Sequence, residues 1–316
     1  MVYVGIDLGG TNIVAGVVDK DGKILGKAET PTMAERPYAE VLKDMGDVVV
    51  KAVENAGFTM DDVASVGVGA PGVADPETGD IVFANNLRWY NVPVCSTLKA
   101  QLNKPVYINN DANVAGLAEA MFGACKGAKS SITITLGTGL GGGIILNGKI
   151  WSGTHGVGAE LGHIVIEKDG LQCNCGNHGC WERYSSATAL IRWGRMAAVE
   201  FPSCLINAMV DGDINNITAK TVIDAAKAKD FVAIDVFNKF ISYLADGIVT
   251  LINSIDPEVI AIGGGVSKAG EFLLEPLRKL VAEKVMFKDL PYARIELAEM
   301  GNDAGIVGAA MLGVIA

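Results

Sequence analysis

Four residues in one short stretch, His163, Cys173, Cys175 and Cys180, restrict the folding of this chain more than any other feature. They lie in Glu160-Leu-Gly-His163 and then in Cys173-Asn-Cys175-Gly-Asn-His-Gly-Cys180-Trp-Glu182. One imidazole and three thiolates are the donor set of a tetrahedral Zn²⁺ site, and thiolate sulfur selects zinc over hard cations. Cys173 and Cys175 are only two apart, and Gly176 and Gly179 let the backbone curl so that Cys180 returns to the same point. Four protein ligands leave no open position, so the ion would be structural. Such a loop would also hold Glu160, His163 and Glu182 rigidly. Buried free cysteines are the alternative; a redox pair fits less well, because the spacing is not Cys-x-x-Cys.

The chain of 316 residues is long enough for two lobes, each with its own core. Half of the residues are hydrophobic, which implies extensive burial and permits a subunit interface. A net charge of −10 argues against a nucleic-acid-binding surface. Six cysteines without a regular disulfide framework suit a reducing, cytoplasmic setting. The N-terminus has neither a basic n-region nor a cleavage site, so no signal peptide is expected. The apolar run from Ala304 to Ala316 is shorter than the roughly 20 residues needed to span a bilayer. It reads as a buried Ala/Gly-rich helix, and no membrane association is expected.

Periodicity predicts strands at Val2–Asp7, Ile13–Val18 and Lys23–Glu29, then an amphipathic helix over Tyr38–Asn55. Further strands are predicted at Ala64–Gly69 and Pro105–Asn109, with a helix opening at Asp111. The pattern then restarts: a strand at Ser130–Leu136, a glycine-rich turn Gly137–Gly143, and a return strand Gly143–Leu146. Asn147-Gly148-Lys149-Ile150 closes that hairpin as Asp21-Gly22-Lys23-Ile24 closes the first. The separation of about 126–128 residues points to a duplicated βββαβα unit. Helices are expected near 187–198, 219–228, 231–254 and 270–284, with strands at 259–262 and 294–297 and a last helix from Asp303. The expected domains are 1–115, joined by the C-terminal helix 303–316, and 116–302, a larger lobe carrying the zinc loop 163–180.

Asp7-Leu-Gly9-Gly10-Thr11 sits at a strand–turn–strand junction. Its glycines free backbone N–H groups for an anion, Thr11 adds a hydroxyl, and Asp7 could hold Mg²⁺ through water. The Gly137–Gly143 turn is a second candidate of that kind. Neither matches a P-loop or a dinucleotide-binding turn, both of which lead into a helix. Two such hairpins across a cleft would grip a triphosphate; either one alone is equally a tight turn. Gly263-Gly264-Gly265 could pass under a base or ribose, or be a simple β–α turn. Asp303 reads as a helix N-cap. Asp111 ends a buried strand, where α/β folds place ligands, and could accept a proton in phosphoryl transfer or merely cap the following helix. Asn85-Asn86-Leu-Arg-Trp89 could read sugar hydroxyls or be a surface turn on a buried Trp89. Cys95, Cys125 and Cys204 read as buried small hydrophobes.

Taken in order, Asp-x-Gly-Gly-Thr, Ala-Pro-Gly, Asn-x-x-Trp, Asn-Asp-Ala-Asn, Gly-Thr-Gly-x-Gly-Gly-Gly, Glu-x-Gly-His, Cys-x-Cys-Gly-x-x-Gly-Cys-x-Glu and Gly-Gly-Gly-Val-Ser closely resemble the ROK family of bacterial sugar kinases. The likeness runs from Asp7 to Leu312 and is greatest to the ATP-dependent glucokinases. It implies an α/β, two-lobe, actin-like and ribonuclease-H-like ATPase fold with the active site in the cleft. Asp111 would be the catalytic base toward the sugar 6-hydroxyl. Asn86, Asn110, Asp111, Glu160, His163 and Glu182 would hold the hexose, His163 with one ring nitrogen on zinc. Asp7, Gly9, Gly10, Thr11, Thr138, Gly139 and Gly264 would serve ATP and Mg²⁺. The implied reaction is ATP-dependent phosphorylation of a hexose, most simply glucose to glucose 6-phosphate. Alternatives are a kinase for fructose, mannose, allose or N-acetylmannosamine, polyphosphate as donor, or a non-catalytic sugar-sensing regulator. The family's repressors carry a winged helix ahead of the first phosphate motif, and Asp7 stands too near the start for one. A homodimer or homotetramer is typical of the family.

Overall fold

The first strand buries side chains on both of its faces, and the rest of the first half is arranged around it. In the computed structural model, which describes all 316 residues, β1 is Val2–Leu8. Side chains alternate along a strand. Val4, Ile6 and Leu8 therefore enter one core together, with Val41, Leu42, Met45 and Val49 of helix α1, Tyr38–Asn55. The intervening positions, Gly5 and Asp7, face the opposite side. Strands β2 (Asn12–Val18) and β3 (Ile24–Pro31) continue antiparallel from β1. Strands β4 (Val63–Ala70) and, beyond it, β8 (Val106–Asn110) pair in parallel on the other edge.

Between β4 and β8 lies a small antiparallel sheet of β5 (Val73–Asp75), β6 (Asp80–Ala84) and β7 (Trp89–Val92), followed by helix α2 (Val94–Leu102). None of these four was predicted from periodicity. Their runs are short and interrupted by turn residues, so neither the helical nor the strand period is sustained. Helix α3, Asp111–Phe122, closes the first repeat.

The second repeat follows the same plan. Strands β9 (Ser130–Leu136), β10 (Leu140–Leu146) and β11 (Lys149–Ile150) come first. Residues 151–230 then carry the cysteine loop and helices α4 (Glu182–Ser185), α5 (Ala187–Glu200), α6 (Leu205–Ala208) and α7 (Ala219–Lys227). Helix α8 (Phe231–Ile255), strand β12 (Val259–Gly263), helix α9 (Glu271–Lys284), strand β13 (Arg294–Leu297) and helix α10 (Ala304–Ile315) complete the chain. The two five-stranded sheets have the orders β3-β2-β1-β4-β8 and β11-β10-β9-β12-β13. These match strand for strand, so the duplication read from the two hairpins is real, with one further strand and helix in each copy. No helix is long and apolar enough to cross a membrane.

Two compact units result. One comprises Met1–Thr133, Gly143–Ala159 and Glu299–Ala316, so α3 lies wholly inside it; the other comprises Ile134–Gly142 and Glu160–Ala298. In the first unit, the register sets Gly16 beside Gly5 and Gly5 beside Gly67, three glycines side by side on β2, β1 and β4. Helix α10 seats on that row. A Cβ on Gly5 would stand 1.8 Å from the Ile306 carbonyl oxygen, and one on Gly67 would stand 1.8 Å from that of Ala309. On its other side, Gly308 of α10 leaves space for the Val114 carbonyl of α3. The predicted Ala/Gly-rich helix is thus buried, and its small residues are what allow backbone-to-backbone packing. The entry to α10 is fixed by Glu119, a carboxylate only 1% exposed, which accepts from the N–H groups of Ala124, Glu299 and Met300.

Two local expectations are corrected. Asp303 makes no capping hydrogen bond at α10; its carboxylate pairs with Lys27 instead. The return strand β10 starts at Leu140, not Gly143, because Gly143 packs against α3, where a Cβ would meet the Ala112 carbonyl at 2.5 Å. Cys125 and Cys204 are buried as expected, whereas Cys95 is only partly so.

Gly67→Ala should cost more than ~3 kcal/mol, because the added methyl meets backbone and not a movable side chain. The thermal midpoint should fall by at least ~6 °C, and an unchanged melting curve would contradict this account of the row.

Candidate functional site

The first group of polar residues belongs to the first unit. Asp7 ends β1 on the face that carries α10; a Cβ on Gly305 would stand 3.2 Å from its carboxylate. The Gly9–Thr11 turn follows. A Cβ on Gly9 would lie 2.9 Å from the Asn12 carbonyl, and one on Gly10 would lie 3.7 Å from Asn86 Cβ. Neither glycine has a positive φ. Close approach, and not a left-handed backbone, is therefore what requires Gly9. Asn85 and Asn86 are exposed in a single 3₁₀ turn before the buried Trp89, and Arg88 is left-handed at φ 56°.

Asp111 and its neighbour Asn110 both meet the start of α3, and Asp111 Oδ1 accepts from the Ala112 N–H at 2.8 Å. Asn110 caps α3: its Oδ1 accepts from Ala112 and Asn113 at 2.9 and 3.3 Å. Its Nδ2 donates to the Gly72 carbonyl at 3.0 Å, tying the helix to the Ala70-Pro71-Gly72 turn. Asn109 Oδ1 in turn accepts from the Asn110 N–H and from Asn113 Nδ2. Asp111 is thus an exposed carboxylate in the first turn of the helix, where the aligned N–H groups favour negative charge. Its charge reaches Asp7. Burial first, and the Asp111 carboxylate second, push the Asp7 carboxyl up to about 6.

The second group belongs to the other unit. The ligand atoms of His163, Cys173, Cys175 and Cys180 all lie within 4.8 Å of one another. Cys175 Sγ and Cys180 Sγ are 3.6 Å apart, and Cys173 Sγ is 3.7 Å from His163 Nδ1. Zn–S bonds of about 2.3 Å and Zn–N bonds of about 2.0 Å at the tetrahedral angle require edges of roughly 3.5–3.8 Å, near both of these separations, so the donor set fits zinc. The ring faces this cluster through Nδ1, which leaves Nε2 for another partner. Burial pushes the Cys173 thiol up to about 12, and it donates to Glu182 Oε1 at 3.1 Å. The Cys180 thiol is also raised by burial, whereas the Asn177 N–H lowers that of Cys175. A cation at the centre would favour all three thiolates. Burial likewise raises the Glu160 carboxyl; His163 opposes that shift and Glu182 adds to it.

Local sequence explains how the loop holds its shape. Gly176 and Gly179 have φ of 92° and 78°, and a Cβ on Gly179 would meet the Glu167 carbonyl at 1.8 Å. Trp181, fully buried between Cys180 and Glu182, anchors the loop by donating from Nε1 to the Tyr243 carbonyl of α8. Gly247, one turn further along α8, provides the space for the indole, since a Cβ there would lie 2.0 Å from it. Neither Gly247 nor Tyr243 carries a local signal that sequence reading could use.

The turn holding Thr138 and Gly139 is fixed by α5, whose Ala187 N–H and Thr188 hydroxyl donate to the carbonyls of Gly137 and Thr138. A Cβ on Gly139 would lie 2.7 Å from Glu182 Oε2, so this turn adjoins the cysteine loop. Gly264 has φ 85° and packs against the Leu136 backbone, exposed beyond the end of β12.

Residues 3–314 match the sequence pattern of the ROK family. The chain belongs to that family. It is 39% identical over 312 residues to a glucokinase of Streptomyces coelicolor, covering 98% of this chain and 96% of that protein. It is 36% identical over 310 residues to a glucokinase of Thermotoga maritima, with 98% and 96% covered. Among solved structures, a ROK glucokinase of Streptomyces griseus in complex with glucose and AMPPNP is similar at a TM-score of 0.83, with 38% identity and 99% of each chain covered. The two matching five-stranded sheets are accordingly those of the actin-like α/β fold, and the His/Cys cluster has the donor set of a zinc-binding motif.

Two outcomes are expected. Metal analysis of purified wild-type protein should find roughly one equivalent of zinc, and Cys175→Ser should lose it. Equal zinc in both proteins would remove Cys175 from the ligand set. For Asp7, protonation favours the fold; that contribution is complete below the ordinary value of 3.8 and is lost as pH rises through about 6. Asp7→Asn should therefore be more stable than wild type at neutral pH, with the advantage vanishing on acidification through that window. Denaturation midpoints that differ by a constant amount across this range would contradict the raised value.

Proposed function

We propose that this chain is an ATP- and Mg²⁺-dependent hexose kinase, and that its substrate is glucose, phosphorylated at the 6-hydroxyl. The observation that carries the reading is the capping arrangement at α3. Asn110 caps α3, and beside it Asp111 presents an exposed carboxylate in the first turn, its Oδ1 accepting from the Ala112 N–H at 2.8 Å; this placement supports a role as proton acceptor. The identity to glucokinases along nearly the whole chain supports glucose in particular.

In this reading Asn86, Asn110, Glu160, His163 and Glu182 hold the hexose hydroxyls, His163 through Nε2; a zinc ion held by His163, Cys173, Cys175 and Cys180 would fix the orientation of that ring. Gly9, Gly10, Thr11, Thr138, Gly139 and Gly264 receive ATP, and Asp7 holds Mg²⁺ through water. Asp111 accepts the proton of the 6-hydroxyl as that oxygen bonds to the γ-phosphorus and the bond to the bridging β–γ oxygen breaks, leaving ADP. A carboxylate of ordinary basicity suffices, because in a loose phosphoryl-transfer transition state the proton leaves late. Magnesium would supply charge neutralisation on the phosphates and would also relieve the repulsion between Asp7 and Asp111. We place the enzyme in the cytoplasm, as a homodimer or homotetramer.

ADP release with ATP and Mg²⁺ should be strongest with glucose in a panel that includes fructose, mannose, allose and N-acetylmannosamine. Asp111→Asn should lower kcat by at least ~10²-fold while glucose still binds. Near-normal turnover in the variant would sink the role of Asp111. Preference for another sugar would reassign the substrate, and glucose binding without turnover from either ATP or polyphosphate would favour a sensor.

A further inference from the structure

Thr32 is fully buried although it is polar, and no step described so far uses it. It follows the last residue of β3 and is bonded twice to the turn after β1. Its Oγ1 donates to the Gly9 carbonyl at 2.7 Å, and its N–H donates to the Thr11 carbonyl at 2.8 Å. Its own carbonyl accepts from Arg36 Nη2 at 3.1 Å, and that nitrogen also reaches Asp44 Oδ2 on α1 at 2.7 Å. The chain reverses immediately after it: Met33 is left-handed at φ 46°, a conformation that residues with a side chain seldom adopt. A strand end, an ion pair and an unfavourable backbone state thus hold Thr32 in place, and its hydroxyl is the group that reaches Gly9.

What that hydroxyl controls follows from peptide geometry. A trans peptide is planar, so the carbonyl of one residue and the N–H of the next point in opposite directions. Holding the Gly9 carbonyl on Thr32 turns the Gly10 N–H away from the buried side, toward the exposed side of the turn, where Gly10 and Thr11 lie. The Gly9 N–H to Asn12 carbonyl bond closes the turn but does not touch the Gly9–Gly10 peptide, whose carbonyl is held by Thr32.

We propose that Thr32 is the positioning residue of the phosphate turn, holding the Gly10 N–H in the direction needed to receive a nucleotide phosphate. The proposal rests on the reading of this turn as the ATP-phosphate site. A buried threonine with no bearing on ligand binding would affect stability alone, so the test must separate the two.

Binding of AMPPNP with Mg²⁺ and, separately, of glucose would be measured calorimetrically for wild type, Thr32→Val and Thr32→Ser, with the thermal midpoint of each. Thr32→Val, equal in shape but without the donor, should weaken AMPPNP by ~10-fold, the usual worth of one hydrogen bond, and leave glucose affinity unchanged. Thr32→Ser should bind AMPPNP within ~3-fold of wild type, because the hydroxyl is kept. Thr32→Val with wild-type AMPPNP affinity would overturn the proposal. So would equal losses for glucose and AMPPNP, or a serine variant no better than the valine one. Wild type that binds AMPPNP yet phosphorylates no sugar would refute the kinase reading alone, and the Thr32 comparison would still decide this one.

Discussion

The first unit depends on the contact between α10 and the row Gly16, Gly5 and Gly67. A helix normally meets a sheet through side chains; here the carbonyls of Ile306 and Ala309 stand where Cβ atoms would otherwise be. Apolar burial supplies the drive, but three absent side chains set how closely the helix lies. Asp7 is two residues beyond Gly5 on the same face, beside Gly305. The same close packing that completes the core therefore shields the Asp7 carboxyl from water, and this shielding is the larger cause of its raised pKa.

In each group, several polar residues hold the backbone in place around more exposed ones. Asn109, Asn110 and Asn113 satisfy one another and the start of α3, leaving Asp111 exposed. Trp181, Tyr243 and Gly247 do the equivalent work for the cysteine loop, keeping Glu182 beside Cys173 and the Gly137–Gly139 turn. In the proposed kinase this arrangement limits the reorganisation needed when substrate arrives, which is how fixed polar groups contribute to catalysis.

Much of this was legible in the sequence. Helix α1 lies over the predicted Tyr38–Asn55, and α8 begins at the predicted Phe231, because both present an unbroken apolar stripe. The cysteine cluster was legible because ligand chemistry and spacing are both local. The small β5–β7 sheet was not, since three- to five-residue strands between turns leave no period to read. Asp303 was misread because Asp before a helix is ordinarily a cap, whereas its partner Lys27 comes from β3, far away in sequence. The return strand was begun too late, at Gly143 and not Leu140, because its glycines read locally as a turn; the α3 backbone that excludes a side chain at Gly143 is visible only in three dimensions.

The seating of α10 also bears on how the polypeptide emerges during synthesis. Gly5 and Ile306 lie about 300 residues apart, a very long loop to close, and such pairings form late. The first-made sheet must therefore wait on the ribosome with one apolar face uncovered while the whole second repeat is translated. Its glycine row, which offers little apolar surface and no side chains to a wrong partner, makes that exposed face less adhesive during the wait.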